Sequence, residues 1–232
     1  MLPIKPRPPA AALPPEYRSR LAAWALGILI ACCALSPLPA AAQTTPLALT
    51  PTDVKLLAQI STYLNQQTGL TANFLQVAAD GSTRTGKAWL ERPGRMRFAY
   101  DPPDKQLLVA GFGLLVYHDP ALGQTTNIPL SATPLGILLA SHVDLTSGNV
   151  VVTAIQRQPG EDDITLVRRD KPATGSLTLV FSTDPLALHQ WVVRDAQGQE
   201  TRVSLYDIAP GGPYPDSLFQ YNPGTAPAAP GG

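Results

Sequence analysis

Cysteine is confined to two adjacent positions, Cys32 and Cys33, both inside one uncharged apolar stretch near the N-terminus. Removal of that stretch leaves a chain without thiols, which excludes disulfides, thiolate catalysis and cysteine-held metals downstream. Charge is scarce and balanced. Only 15% of residues are charged, Lys+Arg 17 against Asp+Glu 17, so the basic footprint of a nucleic-acid binder is missing. Aromatics are 6% whereas Pro reaches 25 and Gly 18, a mix that favours turn-rich β structure over helical bundles or coiled coils. The apolar run Leu21–Leu35 is shorter than the about 20 residues a transmembrane helix needs. A hydrophobic fraction of 44% excludes disorder throughout.

The N-terminal composition differs from the rest. Lys5, Arg7, Arg18 and Arg20 precede the apolar run, and Ser36-Pro37-Leu38-Pro39 and Ala40-Ala41-Ala42 follow it. This order of basic, apolar and small residues predicts a secretory signal peptide over 1–42, with the mature chain starting at Gln43. Leu29-Ile30-Ala31-Cys32 also resembles the box that precedes a lipidated cysteine, and that reading stays open beside the first. Cleavage after Ala42 removes four basic residues and one acidic one, leaving a slightly acidic exported protein.

Residues 43–51 read as a flexible lead-in. From Thr52 the pattern turns helical: Val54, Leu57, Ile60 and Leu64 recur at spacings of three and four, with Thr52 as N-cap and Asp53 in the first turn, predicting a helix that ends near Gln67. Short alternating runs follow. Strands are predicted at about 70–77, 83–91, 95–101, 105–110, 113–118, 123–128, 149–157, 162–169, 175–182, 187–194 and 200–208. Ala79-Asp80-Gly81-Ser82, Gly111-Phe112-Gly113 and Ala196-Gln197-Gly198-Gln199 supply hairpin turns, so neighbouring strands pair antiparallel.

Alternation identifies the apolar face. Met96, Phe98 and Tyr100 share one side of a strand whose other side carries Arg95 and Arg97; Leu177, Leu179 and Phe181 likewise oppose Ser176, Thr178 and Val180. One face of the sheet is therefore greasy and the other mostly wet. A sheet of about eleven strands must curl, and its apolar face must be covered or enclose a cavity. Thr133-Pro134-Leu135-Gly136-Ile137-Leu138-Leu139-Ala140 interrupts the strands and predicts a short helix over 133–141 with Thr133 as N-cap. Leu135, Ile137, Leu138 and Leu139 make it apolar all round, so it belongs inside a greasy environment as a lid.

Chemistry-bearing patterns are thin. His118, His142 and His189 match no zinc spacing, and His118-Asp119 is a turn start rather than a dyad, since adjacent strand residues point to opposite faces. No G-x-S-x-G, S-x-x-K or phosphate-binding glycine loop occurs, and Asp162-Asp163 and Asp101/Asp104 read as solvated turn acids. No enzyme, cofactor or metal site is expected.

The run Trp89-Leu90-Glu91-Arg92-Pro93-Gly94-Arg95-Met96-Arg97-Phe98-Ala99-Tyr100 is more informative. Its Arg-Pro-Gly turn between an apolar and an aromatic strand resembles the outer-membrane lipoprotein carrier family, LolA. Phe74-Leu75-Gln76, Gly86-x-x-Trp89, Leu108–Gly111 with Leu115–Pro120, Thr133–Leu139 and Phe219–Gly224 resemble further family motifs in the same order, covering about residues 53–224. The resemblance implies a mainly β fold with an α lid (α+β), an incomplete antiparallel β-barrel of about eleven strands around a hydrophobic cavity, as a single domain over 52–224. The Pro/Gly-rich residues 225–232 read as a short disordered tail, a departure from family members with a longer structured one. The resemblance also implies a monomeric periplasmic carrier in a Gram-negative bacterium. Triacylated lipoproteins would come from an inner-membrane ABC transporter and pass to an outer-membrane receptor. Arg92 matches the family's lid-latching arginine, expected to bind carbonyls of the 133–141 helix, and Met96 takes a position that is usually aromatic. A sensor or regulatory module on the same fold, and a carrier of other amphiphiles such as glycolipids, remain alternatives.

Overall fold

The computed structural model describes residues 45–222. The predicted leader and the tail from 225 lie outside the described residues.

Helix α1 (Pro51–Gln66) begins two residues before the expected start. Its N-cap is Thr50: the Thr50 hydroxyl accepts the Asp53 N–H at 3.2 Å, and the Asp53 carboxylate accepts the Thr50 N–H at 2.8 Å. This is a reciprocal capping box. Thr52, expected as the cap, lies inside the helix because Pro51 fills the first helical position without needing a hydrogen-bond acceptor. Leu57, Ile60 and Leu64 face the sheet, while Val54, counted in the predicted stripe, is 44% exposed. The lead-in is not free. The Leu47 N–H donates to the Val152 carbonyl at 2.9 Å, and Leu49 packs on the core.

Eleven strands follow: β1 (Gly69–Val77), β2 (Thr83–Glu91), β3 (Arg95–Tyr100), β4 (Leu107–Gly111), β5 (Leu114–Asp119), β6 (Gln124–Pro129), β7 (Val150–Gln158), β8 (Glu161–Arg168), β9 (Ser176–Thr183), β10 (Leu186–Arg194) and β11 (Glu200–Pro210). They form one antiparallel sheet in the order β6-β5-β4-β3-β2-β1-β11-β10-β9-β8-β7. Two meanders are thus joined where β1 pairs with β11, with Phe74 opposite Leu205. The seam lies between β6 and β7, and the chain crosses it through α2 (Leu135–Leu138).

The sheet curls. Strands β3 and β10 are four places apart in the order, about 19 Å along a flat sheet at roughly 4.8 Å per strand. Yet the rings of Phe98 on β3 and Trp191 on β10 stand 6.0 Å apart, edge to face. The curled inner face, α1 and α2 share one buried apolar cluster.

The lid is shorter than predicted. A 3-10 turn (Leu130–Ala132) precedes Thr133, whose hydroxyl donates back to the Leu130 carbonyl at 2.9 Å instead of capping the next helix. Helix α2 has four residues, and Pro134 stands at its cap position. The apolar character of this segment has the expected consequence: Leu135, Ile137, Leu138 and Leu139 are all buried.

The outer face departs from the prediction on β2–β4. Residues 211–222 return across it as a strap, burying Trp89, Leu107 and Val109 against Leu218 and Phe219. The strap lies so close that a Cβ on Gly111 would stand 2.3 Å from the Phe219 carbonyl oxygen.

Candidate functional site

The inner face is built by alternation. On β3, Met96 and Phe98 are buried inward and Tyr100 packs against the same cluster; on β9, Leu177, Leu179 and Phe181 are fully buried. All ten side chains expected in a cavity or lid thus meet in one cluster. Phe74 lies tilted against Phe98 at 4.6 Å and edge-to-face with Tyr100 at 5.3 Å. Room for its ring comes from Gly86, where a Cβ would meet the ring at 2.8 Å and the Ala99 carbonyl oxygen at 2.1 Å. The one polar tip here is satisfied: the Tyr100 hydroxyl donates to Gln76 at 2.8 Å, and burial pushes its pKa up. Neutral and hydrogen-bonded, it does not make the surface ionic.

A recess beneath the end of α1, lined by Leu64, Leu70, Leu90, Leu138 and Leu188, has a free volume of about 30 Å³. Roughly one water fills such a volume. An acyl chain is too large for this recess, so a guest entering here displaces its lining from helix or lid.

Contacts at the rim hold helix and lid over the sheet. The turn between β2 and β3 is the hub, but Arg92 uses it differently from expectation. Its guanidinium Nη2 donates at 2.7 Å to the Gln67 carbonyl, at the C-terminal end of α1, and not to the 133–141 segment. The Arg92 N–H donates to the Thr68 carbonyl at 2.8 Å. The lid is held by backbone instead, with the Gly94 N–H donating to the Leu139 carbonyl at 2.8 Å. Position explains the exchange: the last carbonyls of α1 lack intrahelical partners and carry the negative end of the helix dipole, so they attract a cation. Burial lowers the Arg92 pKa, and its Nη1 is buried without a hydrogen-bond partner.

Outside, the same hub is tied to the strap. Glu91, buried, pairs with Arg95 and accepts the Tyr214 N–H at 2.7 Å. Arg95 also pairs with Asp216 at 2.7 Å and lies over the Phe219 ring. Arg97, 4% exposed under the strap, donates to the Leu218 carbonyl at 2.9 Å. His118 meets the Tyr221 hydroxyl at 2.9 Å, while Asp119 accepts the N–H groups of Ala121 and Leu122 in a turn. These two side chains form no dyad.

Sequence reasoning passed over Tyr63, Gln67, Gly94, Leu188 and Trp191. Trp191 carries a partial signal, as a large apolar side chain beside Gln190 on a predicted strand, but the irregularity between Leu188 and Gln190 breaks the alternation that would have placed it. The others depend on which elements meet at the rim, and no local pattern states that. Among the described residues no group of three or more His, Cys, Asp or Glu is arranged to hold a metal.

The site is thus a curled sheet with a continuous apolar inner face, covered by a helix and a short lid held mainly at the rim. The chain belongs to the outer membrane lipoprotein carrier protein LolA family, whose model matches residues 65–222. It is 30% identical over 175 residues to an outer-membrane lipoprotein carrier protein of Chromohalobacter salexigens, covering 70% of this chain and 80% of that one. It is 29% identical over 213 residues to the protein of the same name from Bordetella pertussis, covering 88% and 94%. Among solved structures, a LolA superfamily protein from Nitrosomonas europaea is a looser likeness, at 12% identity and a TM-score of 0.37 over 69% of this chain and 97% of that one.

Proposed function

We propose that the protein is a periplasmic carrier that shields the acyl chains of triacylated lipoproteins between an inner-membrane ABC transporter and an outer-membrane receptor. The observation that carries this reading is the continuous apolar inner face, covered by α1 and α2, with a recess of only about 30 Å³ beneath the end of α1. Membership of the carrier family supports it, as does the predicted signal peptide at 1–42, which would export the chain. Met96, Phe98, Tyr100, Leu177, Leu179 and Phe181 then line the cavity, and Leu135, Ile137, Leu138 and Leu139 leave it when the lid lifts.

Magnitudes explain why the resting cavity is filled by its own lid. Three chains of about fifteen methylenes would release roughly 36 kcal/mol at about 0.8 kcal/mol per methylene. Non-covalent binding saturates near 18–21 kcal/mol, and a carrier binding that tightly would not unload. Re-burial of the lid and the rim hydrogen bonds offsets the gain, so the closed state competes with the guest. Arg92 acts as a latch through α1: release of Gln67 frees the helix end that covers the recess.

The test is to add the purified protein to proteoliposomes holding the lipoprotein-releasing transporter and a triacylated lipoprotein. A soluble one-to-one complex supports the reading. No release, with a different lipid recovered from the cavity, overturns it in favour of an amphiphile carrier.

A further inference from the structure

Helix α1 is held unequally on its two flanks. On one flank the segment after α2 is stitched to it by three hydrogen bonds. The Asn65 amide donates to the Val143 carbonyl at 2.8 Å and accepts the Val143 N–H at 2.9 Å, and the Ser61 hydroxyl accepts the Leu145 N–H at 3.1 Å. On the other flank α1 faces the rim of β8–β10 across an open groove of about 610 Å³, with Leu56, Tyr63, Asp162 and Leu186 among its walls; a smaller open groove of about 440 Å³ lies beside the stitched flank, against Ser61, Asn65 and Val143. The ends of the helix are pinned, by Asp53 to Arg157 of β7 at 2.6 Å and by Gln67 to Arg92. Between those pins, among the described residues, one hydrogen bond joins α1 to the β8–β10 rim: the Leu188 N–H donates to the Tyr63 hydroxyl at 3.1 Å. It sits where the β9–β10 register shifts between Leu188 and Gln190.

Tyr63 borders both spaces. It lines the larger open groove, and it also lines the small recess beside Leu64, Leu138 and Leu188, with its ring edge-on to Phe181 at 6.0 Å. One side chain thus separates a groove that solvent reaches from the apolar interior. The flank joined by one hydrogen bond has less to break than the flank joined by three.

We propose that acyl chains enter between α1 and the β8–β10 rim, with Tyr63 as the gate. The inference rests on the carrier reading above and adds a route and a charge filter. Asp162, 8% exposed, puts a carboxylate in the wall of the groove. A free fatty acid would bring a second negative charge to it; a chain held in an ester or amide brings none.

Stopped-flow uptake of a BODIPY-labelled diacylglycerol from mixed micelles tests the gate. Tyr63→Phe keeps the ring on Phe181 and deletes the groove hydrogen bond. The expected result is a rise of roughly fivefold in both uptake and release rates, the equivalent of one neutral hydrogen bond, at nearly constant affinity. Leu186→Trp fills the groove without touching the Tyr63 hydrogen bond and slows uptake. Wild-type uptake that both variants leave unchanged overturns the gate while leaving the carrier reading standing; no uptake by the wild type overturns both. The same label on a free fatty acid enters more slowly, and Asp162→Asn narrows the difference. Equal wild-type rates for the two probes overturn the filter.

Discussion

Arg92 shows how much one residue's role depends on what lies across from it. Its place in an Arg-Pro-Gly turn is legible in the sequence, but its acceptor, the Gln67 carbonyl, is set by where α1 ends in space. Arg92→Leu is expected to leave the fold intact. The lost charged hydrogen bond, worth about 1.5–3 kcal/mol, is partly offset by relief of a buried, half-satisfied guanidinium. Thermal unfolding should therefore shift by only a few degrees while loading or release changes; unchanged transfer in both directions at normal stability would refute the latch. Phe98 gives a contrasting case, because alternation alone placed it inward. Phe98→Ala removes a ring that touches both Phe74 and Trp191, and chemical denaturation should show a loss of about 3–5 kcal/mol.

Among the elements, α1 begins at a carboxyl whose charge the fold stabilises. Its Asp53 carboxyl is held down at about 2, first by the Thr50 hydroxyl and backbone N–H and then by the Arg157 guanidinium. A carboxyl whose folded pKa lies below its unfolded value of about 4 contributes stability above that value, and the contribution disappears as pH falls toward 2. Asp144 and Asp170, also held at about 2, share that window. The melting temperature should fall between pH 4 and 2, and Asp53→Asn should flatten part of that fall. Thr50→Ala, which removes the cap hydroxyl, should cost about 1 kcal/mol at neutral pH. The sequence reading placed α1 correctly and its cap wrongly because two threonines flank Pro51, and only the backbone shows which one stops being helical.

The molecule as a whole couples its inner and outer faces through the β2–β3 hub, which touches α1, the lid and the strap. Deletion from Gly212 onward would uncover Trp89, Leu107 and Val109 and strip Arg97 of the Leu218 carbonyl. Such a chain should bind ANS and self-associate in sedimentation velocity, since exposed contiguous apolar surface drives association. A monomeric, ANS-silent truncation would mean that the strap is dispensable for covering this face.

Chain-local physics determined the eleven strands, the apolar helix stripe, the hairpin turns and the greasy 135–139 segment, because each depends on periodicity and turn residues within a few positions of one another. Which side of β3 or β9 faces inward was legible for the same reason: side chains alternate along a strand whatever lies across from it. The pairing of β1 with β11, the burial of Arg97 beneath a returning strap, the acceptor of Arg92 and the shared position of Tyr63 between two spaces were decided only by tertiary structure. Each joins residues separated by tens of positions or more, and their meeting is set by how far an eleven-stranded sheet must curl to bury its apolar face.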